Sequence, residues 1–191
     1  MFKFIREKIF IDDVVCPWWL AYTFDNRIRK FFHNPDKMFS KYIRKGMTVL
    51  DIGCGMGYFS IGMAAFVGDK GKVIALDIQE KMLEVMKKRA EKAGMLKRIT
   101  PHLSTKKDLK LKKKVDFALS FWMVHEVPDI NIFLKNVYNT LNKHGRYFIA
   151  EPKMHTSEKY FSNLESLCLA TGFRIIDRPE VSLSRAVLLE R

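Results

Sequence analysis

The sequence predicts an α/β fold: a Rossmann-like seven-stranded sheet, mostly parallel, with helices on both faces, an antiparallel last strand and an N-terminal helical, aromatic extension. Three observations predict it. Short apolar, β-branched runs alternate with amphipathic stretches of about 10–15 residues. The first of these runs opens directly into a cluster of glycines. The last two runs are joined by residues 177–185 alone, fewer than the dozen or so a parallel crossover needs, so they pair antiparallel.

The elements follow in order. Residues 47–51 (MTVLD) form a buried strand, and residues 58–67, apolar at most positions, form a buried helix. Residues 72–77 (KVIALD) are the second strand. Residues 79–93 carry Met82, Leu83, Met86 and Ala90 at helical spacing with charges between them, and Gly94 stops the helix. Strands follow at 98–103 and 115–121 (VDFALSF), then an amphipathic helix at 130–141, a turn at Gly145 and a strand at 146–150. A helix at 157–171 ends at Gly172, and strands at 173–176 and 186–189 close the sheet. Residues 1–45 lie outside this alternation. Their aromatic and basic stretch 24–39 reads as partly helical, with Pro17 and Pro35 as interruptions. The chain therefore divides into an extension, 1–45, packed on the core, and a domain, 46–191.

Composition narrows the class. The 191 residues suit one full-sized core, and no apolar run nears the roughly 20 residues that span a bilayer. The first ten residues have scattered charges and no cleavage-like site, so they do not read as a signal peptide. Cys16, Cys54 and Cys168 are far apart and odd in number, which argues against a disulfide framework and a sequence-local metal site. A cytoplasmic protein without metal is the expectation. The net charge of +13 suits an anionic substrate or membrane surface, and equally suits plain solubility; one dense run, 106–114, holds six lysines.

The central signal is Asp51-Ile-Gly53-Cys54-Gly55-Met-Gly57, directly after a strand and before a helix. Glycines allow a sharp turn and close approach of a ligand, and the following helix points free N–H groups at that space. Asp77 ends the next strand, 20 residues after Gly57, a spacing that suits a carboxylate accepting from ribose hydroxyls. The spacing GxGxG differs from the dinucleotide fingerprint GxGxxG. Asp51 places negative charge where a pyrophosphate would lie, which favours a ligand with a cationic amino group over a dinucleotide.

At these residues the chain resembles the class I S-adenosylmethionine-dependent methyltransferases. VLDIGCGMGYFS is similar to their first motif and ALDI to their second, over about residues 47–191. The resemblance implies S-adenosylmethionine as cofactor, with S-adenosylhomocysteine as product. It places Asp51, Gly53, Cys54, Gly55, Gly57, Tyr58 and Phe121 around the methionyl end, Asp77 on the ribose and Ile78 on adenine. The acidic residue usual after the third strand is missing from Leu103-Ser104-Thr105, and Ser104 or Thr105 takes its place.

The resemblance also makes the segment after the fourth strand, Phe121-Trp-Met-Val-His-Glu-Val-Pro-Asp129, one wall of an acceptor pocket. His125, Glu126 and, from the end of the fifth strand, Glu151 are candidates for proton handling, since histidine is the side chain most easily used as a base near neutral pH. Trp18, Trp19, Tyr22, His33, Trp122, Met123 and His155 are candidate acceptor contacts, the first four on an N-terminal lid that excludes water. The bland reading competes: His125 bonds a loop backbone, Glu126 caps a helix and the tryptophans are packing. A small-molecule acceptor fits best, without a stable nucleic-acid complex and with the protein a monomer or homodimer. The alternatives are RNA, drawing on the lysine run, a lipid or quinone met at a membrane by a basic amphipathic start (residues 2–11), and a cofactor-binding protein without turnover.

Overall fold

The computed structural model describes residues 29–191. The described elements are α1 (Arg29–Phe32), α2 (Pro35–Phe39), β1 (Thr48–Ile52), α3 (Tyr58–Val67), β2 (Lys72–Asp77), α4 (Glu80–Lys92), β3 (Ile99–Leu103), β4 (Val115–Phe121), α5 (Ile130–Thr140), β5 (Leu141–Pro152), α6 (Glu158–Thr171), β6 (Arg174–Asp177) and β7 (Ser184–Glu190). Single 3₁₀ turns precede β3 and follow β4, at Leu96–Arg98 and Val124–Glu126.

The seven strands form one sheet in the order β3-β2-β1-β4-β5-β7-β6. All pairs from β3 to β5 are parallel, and β7 runs antiparallel to both β5 and β6. Strands covered on both faces read as continuous apolar runs, and side-chain alternation sends neighbours to opposite cores. Val49, Val73, Phe117, Phe148 and Leu188 pack with α2, α3 and α4. Leu50, Ile74, Ala118, Ile149 and Leu189 pack with α5 and α6. Local signals bound the helices: Asp129 starts α5 by accepting from the Ile132 N–H, Ser157 starts α6, and Gly172 turns left-handed after α6, where the sequence places its end.

One boundary departs from the sequence reading. Leu141, placed in a helix, opens β5, and the strand expected at Arg146 starts five residues earlier. Val115 pairs with Leu141 and Phe117 with Arg146, so residues 142–145 bulge from the ladder, with His144 at φ +62°. The cause is burial and a side-chain tether: Leu141 is fully buried, and the Asn142 amide donates to Asp116 at 2.7 Å.

The described part of the extension belongs to the core. Phe39 is fully buried against Phe59, Phe117 and Phe148. Pro35 lies so close to Gly62 of α3 that a Cβ there would meet it at 2.6 Å. The lid and membrane-anchor readings of residues 1–28, with Trp18, Trp19 and Tyr22, lie outside the described residues.

Candidate functional site

The order of the strands reverses between β1 and β4, and in open parallel sheets ligands lie outside the carboxyl ends of the strands at such a point. Both expected motifs converge there. The glycine turn leaves β1 and is tied to β2, because the Gly53 and Cys54 N–H groups both donate to the Leu76 carbonyl at 2.9 Å. Gly55 has φ +52° with open space where a Cβ would stand, and Gly57 has φ +82° with Met86 of α4 only 2.3 Å from that point. The first glycine leaves room for a ligand, and the second lets a helix pack.

Two carboxylates bracket the turn. Asp77 accepts from the Gly55 N–H and the Gln79 N–H, both at 2.9 Å, which clamps the turn to the end of β2. Burial raises its pKa against the pull of those N–H groups. Asp51 is 2% exposed and accepts from the Ser60 hydroxyl at 2.5 Å. Desolvation pushes its pKa up to about 6, while Ser60 and the nearby Arg29 charge pull it down. Ile78 is half-buried beyond Asp77. Ser104 is buried, and its hydroxyl lacks a hydrogen-bond partner. The exposed Thr105 instead spends its hydroxyl on the Asp108 backbone.

The second wall is the turn after β4. Trp122 adopts φ +59°, an unusual angle for a large side chain, and is held by its N–H donating to Ala150 and its indole donating to Ser184, each at 2.8 Å. Met123 lies against the glycine turn, within 3.0 Å of a Cβ built on Gly53. Glu151, 0% exposed, lies behind this turn rather than on the crevice wall. It accepts the N–H groups of Met123, Val124 and His125 and the Nδ1 of His125, the last at 2.5 Å. A carboxylate only accepts, so Nδ1 carries the proton and Nε2 of a neutral His125 is the acceptor. Burial lowers the pKa of His125, but the hydrogen bond and charge of Glu151 outweigh it, and the net shift is upward.

The His125 side chain is 19% exposed, with Nε2 4.0 Å from Glu126. His155, exposed, stacks on it at 6.1 Å between ring centroids. His33 is buried, its edge against Phe121 and Trp122 and its Nε2 donating to the Ser182 carbonyl at 2.9 Å. Desolvation holds its pKa below the usual value. Two neighbours escaped the sequence reading. Arg29 lies over the rings of Tyr58, Phe59 and Phe121, and the Tyr160 hydroxyl is buried without a partner. Arg29 was one base among many in a basic stretch, and Tyr160 read as a helix residue; only the fold separates either from its neighbours.

A Rossmann-like sheet carrying a glycine turn between two buried carboxylates at its switch point defines a protein built to bind an amino-acid-bearing nucleoside. Residues 43–180 match a family model described as a methyltransferase domain, and the chain belongs to that family, the class I S-adenosylmethionine-dependent methyltransferases. A ubiquinone biosynthesis O-methyltransferase of Pelagibacter ubique is 33% identical over 135 residues, 70% of this chain and 52% of that one. A probable cobalt-precorrin-6B C(15)-methyltransferase (decarboxylating) of Saccharolobus solfataricus is 42% identical over 152 residues, covering 76% and 70%. A SAM-dependent methyltransferase of Aquifex aeolicus shares the fold at TM-score 0.84, with 24% identity and 92% and 99% of the two chains covered. The chain spans about half the length of the first curated relatives it matches.

The site fits S-adenosylmethionine on its own geometry. Open space at Gly55, the clamped carboxylate of Asp77 and the unpartnered hydroxyl of Ser104 lie along one edge of the crevice, from β1 across β2 to β3.

Proposed function

We propose that this protein methylates a small aromatic acceptor bearing an ionisable hydroxyl, with the His125 Nε2 taking the acceptor's proton. The observation that carries the reading is the His125–Glu151 pair, which leaves Nε2 of a neutral His125 as an acceptor on the same turn that packs Met123 against Gly53. Bound S-adenosylmethionine supplies an activated methyl on its sulfonium; the new bond forms to the acceptor oxygen as the methyl–sulfur bond breaks. The chain's own part is positioning and proton removal. Trp122, Phe121 and Met123 wall the acceptor side, and His125 receives the hydroxyl proton and passes it to solvent. Glu151 holds His125 in the required tautomer without touching the acceptor. Relatives named for ubiquinone and menaquinone biosynthesis support an acceptor of the hydroxylated quinone or catechol class.

The test is transfer of labelled methyl from S-adenosylmethionine to a panel of catechols, hydroxyquinols and non-ionisable aromatic amines. Turnover on hydroxylated rings that falls on the order of 10²–10⁴-fold in His125→Ala supports the reading. Turnover on the amines alone, or an unimpaired His125→Ala, overturns it.

A second reading places a lipid-soluble quinone at an anionic membrane surface. The six lysines of 106–114 are all exposed on a loop tied to α5 by the Asn136 amide, which donates to the Lys107 carbonyl. Among the described residues no helix is long and apolar enough to cross a membrane. Flotation with anionic but not neutral vesicles, lost when the lysines are changed to glutamine, supports surface docking.

A further inference from the structure

Recognition of an α-amino acid needs two fixed charges of opposite sign a few ångströms apart. The glycine turn supplies the negative one, Asp51, at the end of β1. A positive one reaches the same crevice from a different part of the chain. The Arg29 guanidinium lies 4.8 Å from the ring centroid of Tyr58, 4.9 Å from Phe59 and 5.5 Å from Phe121. Tyr58 and Phe59 open α3 directly after the glycine turn, and Phe121 ends β4 across the switch point. The guanidinium therefore lies between the two walls of the crevice, close enough to Asp51 to stabilise its ionised form.

Its backbone is fixed there. The Arg29 carbonyl accepts from the His33 N–H at 2.8 Å. His33 in turn is bonded by its ring to Ser182 before β7, and by its carbonyl to the Tyr58 hydroxyl at 3.0 Å. A guanidinium carries its N–H donors in a planar fork that matches a carboxylate.

We propose that Arg29 is the binding residue for the α-carboxylate of the cofactor's methionyl group, paired across the turn with Asp51 for the α-amino group. The three rings hold the guanidinium at the crevice, and the extension thereby completes the cofactor site of the domain that follows it. This inference rests on the cofactor reading above and adds to it a residue from outside the glycine and acidic motifs.

Calorimetric titration of the full chain with S-adenosylmethionine and with decarboxylated S-adenosylmethionine separates the possibilities. The second ligand keeps the sulfonium, the amino group and the nucleoside and lacks only the carboxylate. Wild type is expected to prefer S-adenosylmethionine by about 10- to 100-fold, the range of a charge-assisted pair. Arg29→Met should abolish that preference by weakening S-adenosylmethionine alone, with the decarboxylated ligand within about twofold of wild type, and Arg29→Lys should fall between. A wild-type preference near one overturns the proposal without any variant. So does an Arg29→Met protein that loses both ligands equally, the outcome for a merely structural cation, or one that keeps full S-adenosylmethionine affinity. A wild type that binds neither ligand, nor S-adenosylhomocysteine, overturns the cofactor reading itself.

Discussion

Glu151 accepts from Nδ1 of His125 at 2.5 Å while its two oxygens also take three consecutive backbone N–H groups, those of Met123, Val124 and His125. One fully buried carboxylate at the end of β5 thus shapes the turn after β4 and selects the tautomer of the ring it presents. Glu151→Gln keeps the volume but leaves one oxygen to accept where the carboxylate had two, and turns its NH2 toward N–H groups that need an acceptor. The expected cost is about 3 kcal/mol, since buried N–H groups lose their acceptor. Urea unfolding midpoints of the two proteins measure it. A variant as stable as wild type would mean that the turn holds itself.

The same pair sets a pH dependence. Glu151 makes protonated His125 more favourable than burial alone allows, so the folded pKa lies above the ordinary 6.5. A base must be neutral, so turnover should fall as pH drops through a value above 6.5, and the limb should move lower in Glu151→Gln. The stability linkage has the matching sign. A pKa raised by folding gives stabilisation that is complete below the unfolded value and lost as pH rises through the folded one. The NMR titration of the His125 ring proton and the turnover profile should agree; a ring titrating below 6.5 contradicts both.

The glycine turn offers a separation of folding from binding. A Cβ at Gly57 would lie 2.3 Å from Met86, whereas one at Gly55 meets nothing within 4 Å. Both glycines have positive φ, so alanine at either costs about 1 kcal/mol of backbone strain. Gly57→Ala adds overpacking of about 1–3 kcal/mol against α4 and should lower the unfolding midpoint most. Gly55→Ala should lose only that strain in stability yet lose S-adenosylmethionine affinity by tenfold or more, since its methyl enters the ligand's space. Equal binding losses in two equally stable variants would remove the distinction.

How much of this could be read from the chain depends on how local the cause was. The order of strands and helices follows from apolar periodicity and from turns whose backbone shape favours glycine, and the antiparallel β7 follows from the short loop before it. The β5 bulge was hidden, because it depends on Asn142 reaching Asp116 in a neighbouring strand. Asp51 and Asp77 were visible from their place beside the glycines. The tie between Glu151 and His125 was not, since they stand 26 residues apart and only the register of β5 against β4 puts the carboxylate beneath the turn. Arg29 was invisible for the same reason: a cation acquires meaning from rings and a carboxylate that lie distant in sequence.

Asp51 should set function against stability. Burial is the main cause that pushes its folded pKa up to about 6 from the ordinary 3.8. The fold therefore binds the Asp51 proton more tightly than the unfolded chain does. Stabilisation from this group is complete below about 3.8 and is lost as pH rises through about 6, a swing on the order of 3 kcal/mol at neutral pH. Asp51→Asn has no charge to bury and can still accept from Ser60, so it should match wild type near pH 4 and exceed it by about 2 kcal/mol at pH 8. Cofactor affinity should move the other way. Wild type should lose affinity for S-adenosylmethionine as pH falls below about 6, by at most about tenfold per unit, because the protonated acid no longer attracts an amino cation. Asp51→Asn should bind weakly at every pH, with no such limb. Urea unfolding and calorimetric titration at about pH 4.5, 6 and 8 measure both halves, each at the protonation states that the linkage distinguishes. A stability gain that does not change with pH would show that the amide acts through packing and not through the missing charge.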